Sequence, residues 1–209
     1  MPTPKVLERF LRYVQVDTTA IPEAGAYPSS KGQLVLGRML ADELRAIGLS
    51  DVEQDTHGLV WATVPGNTPG VETIALCAHM DTSPETSGTN VRPQVWSNYD
   101  GGDLVLPGDR SKILSPRGNP ELKDYVGRTL VTSDGTTLLG ADDKAGIAAI
   151  METAARLVAD PSLPHGPIRI CFTCDEEIGH GVDHVDPRKL GAVCCYTLDG
   201  HGQDEIDVE

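Results

Sequence analysis

Four short segments of the chain end in side chains able to hold a metal ion or move a proton. His79-Met80-Asp81 closes one apolar run, Glu176-Glu177 follows another, and Asp199 ends a third. The fourth is Leu138-Leu139-Gly140-Ala141-Asp142-Asp143-Lys144-Ala145-Gly146, with two adjacent aspartates between a strand end and a helix start. A carboxylate pair on such a turn stays ionised when cations neutralise it. Zinc takes imidazole nitrogen and carboxylate oxygen as donors. Two such ions roughly 3.5–4 Å apart can clamp a hydrolytic water and polarise a carbonyl. That chemistry needs a bridging carboxylate, terminal ligands and one more carboxylate as general base. Asp142 can bridge, and His79, Glu177 and Asp199 can be terminal ligands. Glu176, beside a ligand, can take the proton from the hydrolytic water. Asp81, two residues from His79 on extended chain, can hydrogen-bond the other imidazole nitrogen and fix its tautomer. Each residue also has a plainer reading: a solvated histidine, a helix N-cap, surface acids, an Asp-Gly turn. Those readings must all hold together to remove the site.

The elements that must position these residues follow from periodicity. Val6, Leu7, Phe10, Leu11 and Val14 lie on one face of a helix predicted over Lys5 to Val14. Thr18 to Gly32 is expected to be a loop. Gln33 to Ile47 is a second helix with Leu36, Leu40, Leu44 and Ile47 inward and Gly48 as its stop. Val52 to Gln54 and Leu59 to Val64 read as strands around a His57-Gly58 turn. Thr73 to Ala78 and Ile168 to Thr173 are short apolar runs of the kind that form buried strands. Val193 to Leu198 is a further strand. Lys144 to Ala159 is the strongest helix, with Ile147, Ile150, Met151, Ala154, Leu157 and Val158 inward. Thr129 to Thr132 and Thr137 to Leu139 flank Ser133-Asp134-Gly135-Thr136, a hairpin signal. Ser83 to Arg128 is long and rich in Gly, Pro and Asp, and such segments are functional or carry small strands of their own.

Strands alternating with helices predict an α/β fold: a mixed, largely parallel sheet flanked by helices on both faces. Sites in such sheets form beyond the carboxyl ends of the strands. His79, Asp81, Asp142, Glu176, Glu177 and Asp199 all fall at that edge.

Composition narrows the partners. The 209 residues carry 17 Lys and Arg against 31 Asp and Glu, a net charge of −14. That balance argues against nucleic acid and anionic membrane as partners. No apolar run approaches the roughly 18 residues of a membrane span, and Met1 to Arg12 lacks a signal-peptide core. A cytoplasmic location is expected. Five cysteines, an odd number, fit reduced thiols. Cys171-x-x-Cys174 lies partly within a strand pattern, and no second C-x-x-C completes a tetrahedral zinc set.

The segments His79-Met80-Asp81-Thr82-Ser83-Pro84, Gly140 to Gly146, Asp175-Glu176-Glu177-Ile178-Gly179 and Thr197-Leu198-Asp199-Gly200 resemble motifs of the zinc-dependent M20 peptidases. Leu7 to Leu11, Ser97 to Asp103 and Pro164 to Arg169 extend the likeness toward the tripeptide-aminopeptidase branch of that family. The resemblance implies a zinc-exopeptidase-like catalytic domain with two zinc ions, for which cobalt or manganese can substitute. It implies release of the N-terminal residue from tripeptides, or another M20 hydrolysis by a dipeptidase, carboxypeptidase or amidohydrolase. By motif, His79, Asp142, Glu177 and Asp199 are the metal ligands, with Asp142 bridging. Glu176 is the general base, Asp81 orients His79, and the peptide at the position of Asp142-Asp143 is often cis. Family members continue past position 209 through a lid or dimerisation domain and a return that brings a last histidine ligand. Residues 1–209 are therefore expected to be the N-terminal part of the catalytic domain, incomplete at its C-terminus, and homodimerisation is expected to use the absent lid. The alternative reading is that the chain alone is a catalytically incomplete metal-binding fragment. His201 is expected to be a solvated turn histidine, and Glu205 to Glu209 a strand.

Overall fold

The computed structural model describes residues 5–200; His201 and the strand expected at Glu205 to Glu209 lie outside them. The first helix, α1 (Lys5–Tyr13), is followed by α2 (Lys31–Ile47), β1 (Glu53–Gln54), β2 (Val60–Val64) and β3 (Ile74–His79). Next come the short strands β4 (Gln94–Trp96), β5 (Leu104–Val105) and β6 (Ile113–Leu114), a 3₁₀ turn at Pro120–Tyr125, and β7 (Leu130–Thr132). The long helix α3 (Ala141–Ala159), β8 (Ile168–Thr173), a 3₁₀ turn at Glu176–Ile178, α4 (Pro187–Leu190) and β9 (Cys194–Thr197) complete the described chain.

The main sheet has the order β1-β2-β8-β3-β9. β3 runs parallel to both β8 and β9, and β2 runs antiparallel to β8. His79 pairs with Thr173 and Cys77 with Thr197, so three strands deliver their carboxyl ends to one edge.

Alternation along the strands sorts side chains onto two faces. Val60, Ala62, Val64, Ile168, Ile170 and Phe172 meet Phe10 of α1, Leu36, Leu40 and Leu44 of α2, and Ile147, Ile150, Met151 and Ala154 of α3 in one buried core. The helical stripes expected from sequence are those that pack here. Leu157 and Val158 only border the core, and Val6 is exposed. On the other face Leu59, Trp61 and Cys171 form a smaller cluster, bordered by Val185 and by Leu190 of α4. The flanking helices are thus unequal: three long ones on one face and a four-residue one on the other. Gly48 ends α2 at φ 112°, where its N–H reaches Arg45 O at 3.0 Å and Leu49 N–H reaches Leu44 O at 3.2 Å.

The hairpin expected around Ser133-Asp134-Gly135-Thr136 does not form. β7 pairs with β4 from the long 83–128 segment instead, and Thr137 to Leu139 is not a strand. The four residues do turn the chain: Asp134 Oδ1 accepts from Thr136 N at 2.9 Å, and Ser133 Oγ donates to Thr137 O at 2.8 Å. The backbone groups a hairpin would pair are taken by the long segment, since Gly108 N–H donates to Asp134 O and Leu138 N–H to Ser87 O. Cys171 and Cys174 pack into different clusters, so the C-x-x-C spacing makes no pair.

Candidate metal centre

His79 is the last residue of β3 and is 2% exposed. Its Nδ1 lies 3.0 Å from the backbone oxygen of Asp81 and 3.4 Å from that residue's carboxylate. A carbonyl oxygen only accepts, so Nδ1 carries the hydrogen and Nε2 is left facing the site. Nε2 meets Asp142 Oδ1 at 2.9 Å, Asp199 Oδ2 at 3.6 Å and Glu176 Oε2 at 3.7 Å. One imidazole nitrogen surrounded by carboxylate oxygens is stable only with a cation between them, whether a proton or a metal ion. Without metal the proton fills that place. Burial works against charge on His79, but the Asp81 carboxylate, Asp143 and Asp199 outweigh it and raise its pKa to about 10.

The two aspartates of the Gly140–Gly146 segment have opposite environments. Their shared peptide is cis, as the family resemblance implies, and both lie outside helical backbone angles, so regular helix begins at Lys144. Asp142 has a side chain 70% exposed and aims at Nε2. Asp143 is buried, and its oxygens accept the backbone N–H of His79 at 3.1 Å and of Gly146 at 3.2 Å. Burial, with Asp199 and Asp142 nearby, lifts Asp143 to about 8 against the pull of His79. Gly146 is required at this turn: a Cβ there would collide with Leu198 O and with the Asp143 carboxylate. Lys144 is buried, and its Nζ donates to Val16 O at 2.8 Å, tying the start of α3 to the chain after α1. Burial lowers its pKa to about 8, with Asp17 and Asp81 opposing.

Asp81 does more than face His79. Its two oxygens accept the backbone N–H groups of Glu176 and Glu177, each at 3.0 Å. It therefore locks the turn after β8 onto the end of β3. Glu177 is raised by partial burial and then by Asp142. Asp199, just past β9, is raised to about 6 by burial and by Asp142, with His79 opposing.

All six residues singled out from sequence converge on this edge. Donor atoms of His79, Asp142 and Glu177 lie within 4.8 Å of one another, as do those of His79, Asp143 and Asp199. Asp143, in the second group, is not among those six. Adjacency to Asp142 was the only sequence signal, and it does not say which of two neighbours turns inward. Gln33 and Ser29, which donate to Asp175 just ahead of the Glu176–Glu177 turn, carry no sequence signal separate from their helix and loop.

Residues 132–202 match the family model described as Peptidase family M20/M25/M40. The chain is 52% identical over 206 residues to Peptidase T of Geobacillus thermodenitrificans, covering 98% of this chain and 50% of that relative. Peptidase T of Halothermothrix orenii matches at the same identity and coverage. The chain thus spans about half the length of the curated relatives it matches. Among solved structures, an aminopeptidase from Bacillus cereus aligns with a TM-score of 0.66 and 27% identity over 95% of this chain and 43% of its own. A tripeptidase from Staphylococcus aureus aligns with a TM-score of 0.65, at the same identity and coverage.

Proposed function

We propose, for a chain whose sequence and fold are those of the M20 peptidases, that it supplies the metal site of a dinuclear zinc aminopeptidase acting on tripeptides. The observation that carries this reading is the buried Nε2 of His79, facing three carboxylates with its tautomer fixed from behind. A mixed nitrogen and oxygen donor set suits zinc and also accepts cobalt or manganese. His79, Asp142, Glu177 and Asp199 would hold the ions, with Asp142 shared. Bound zinc supplies Lewis acidity toward a carbonyl oxygen and lowers the pKa of a water. The chain's own residues do the rest. Asp81 keeps Nδ1 protonated and Nε2 available. Glu176, with a side chain 49% exposed and its backbone N–H held by Asp81, would take a proton from water and pass it to the leaving amine. The names of the Geobacillus and Staphylococcus relatives support peptide substrates. The remaining residues of relatives twice as long would complete the domain, a lid and the dimer contacts.

The test is hydrolysis of a panel of di-, tri- and acylated peptides by the purified protein with added zinc. An Asp142→Ala version purified identically controls for contaminating peptidases. Release of the N-terminal residue from tripeptides, absent in the control, is the expected result. Cleavage confined to another substrate class would move the protein to a different M20 activity. Inactivity of 1–209, with activity in a version extended by a relative's second half, would identify an incomplete enzyme.

A further inference from the structure

Asp175 precedes the two site glutamates and is itself buried, 1% exposed, with a left-handed φ of 58°. Its Oδ1 accepts from Ser29 Oγ at 2.5 Å and from Gln33 Nε2 at 2.6 Å. Its Oδ2 accepts from Ser29 N at 2.6 Å, and its own N–H donates to Gln33 Oε1 at 3.1 Å. Gln33 is fully buried in the first turn of α2. One residue earlier, Cys174 O accepts from Tyr27 Oη at 3.1 Å.

Burying a carboxylate without a cationic partner is costly, and three donors plus a reciprocal backbone bond offset that cost. An apolar residue would fill the same space without these demands. What the network adds is direction. Gln33 reads both the side chain and the backbone of Asp175, so it fixes position and rotation together. Asp81 accepts the next two N–H groups. Backbone from 174 to 177 is thus held, and the Glu176 and Glu177 side chains leave it toward His79.

We propose that Gln33 and Ser29 are positioning residues for the Glu176–Glu177 turn, acting through Asp175. This rests on the reading above that Glu177 is a metal ligand.

The test uses the complete protein loaded with cobalt(II), read by its visible absorption and by affinity in competition with a chelator. Gln33→Leu and Ser29→Ala are expected to weaken cobalt binding about tenfold, the low end for losing a group that orients a ligand, and to change the band intensities. Leu36→Ala, one turn along α2 and facing the core, controls for lost stability. It is expected to lower the melting temperature at least as much and leave the spectrum in place. The double variant Gln33→Glu with Asp175→Asn restores the paired hydrogen bonds with the charge moved, and should recover the wild-type spectrum. A Gln33→Leu spectrum and affinity equal to wild type, or an equal change in Leu36→Ala, would overturn the clamp alone. Wild-type protein that takes up no cobalt would overturn the metal reading and the clamp with it.

Discussion

The site contains two kinds of carboxylate, and their contrast shows how it is built. Asp81 and Asp143 are buried, and each has both oxygens on backbone N–H groups. Asp142, Glu176, Glu177 and Asp199 are open to varying degrees, and three of them approach the same imidazole nitrogen. The buried pair spends its acceptors joining segments far apart in sequence: the end of β3, the start of α3 and the turn after β8. Three of the open set turn an oxygen toward the imidazole nitrogen instead. Adjacent residues of one type therefore do different work, because a carboxylate whose lone pairs are already taken is a poor ligand.

The largest test of that contrast is Asp142 against its neighbour. Asp142→Ala is expected to reduce tripeptide hydrolysis by the complete protein more than about 100-fold, beyond the loss from removing an outer partner. Calorimetry of the metal-free variant should show no loss of thermal stability, because one charge leaves a crowded set. A large drop in the melting temperature would erase the distinction. Asp81→Ala comes next, with metal affinity down about 10–100-fold in chelator competition, since the imidazole and the Glu176–Glu177 turn lose their common anchor. Unchanged affinity would mean that the backbone oxygen of Asp81 alone orients His79.

Asp143→Ala should act on folding instead. Two buried N–H donors lose their acceptor, at about 1–3 kcal/mol each in urea unfolding. Asp143→Asn should cost less, because its amide oxygen still accepts. If Asp143→Ala abolishes metal binding while stability holds, Asp143 belongs with the ligands.

The smallest effect is the pH dependence. Asp143 and Asp199 rise from an ordinary 3.8 to about 8 and about 6 in the fold. A carboxyl raised on folding contributes stability that is complete below its unfolded value and lost as pH climbs through the folded one. Metal-free protein should therefore lose stability from about pH 4 to about pH 8; His79, raised from 6.5 to about 10, adds to that loss, while Lys144, lowered from 10.5 to about 8, opposes it above about pH 8. Metal requires ionised carboxylates and a neutral imidazole, so its stabilisation grows across the same range. Melting temperature should fall with pH in chelator and rise with pH in zinc; parallel curves would place the ions elsewhere.

Much of this was legible from one sequence. The periods of α1, α2 and α3 gave their buried stripes, because a helix exposes one face to the core whatever it packs against. The short apolar runs gave β3, β8 and β9, and the residues just after them gave the site edge. The hairpin expected over 129–139 does not form for a related reason. Turn chemistry at Asp134 is local and did form, but strand pairing is a contest between partners, and β4 lies more than thirty residues away.

The sequence by itself determined the candidate donor residues, their order and the common edge on which they meet, because strand alternation and helix period are written in near neighbours. Only the tertiary structure decided that Asp142 opens outward while Asp143 turns in, that Asp81 holds two backbone N–H groups as well as His79, and that Gln33 reaches Asp175 across 142 positions. Those choices depend on which donors packing brings within about 3 Å, the reach of a hydrogen bond, and no local pattern encodes that distance.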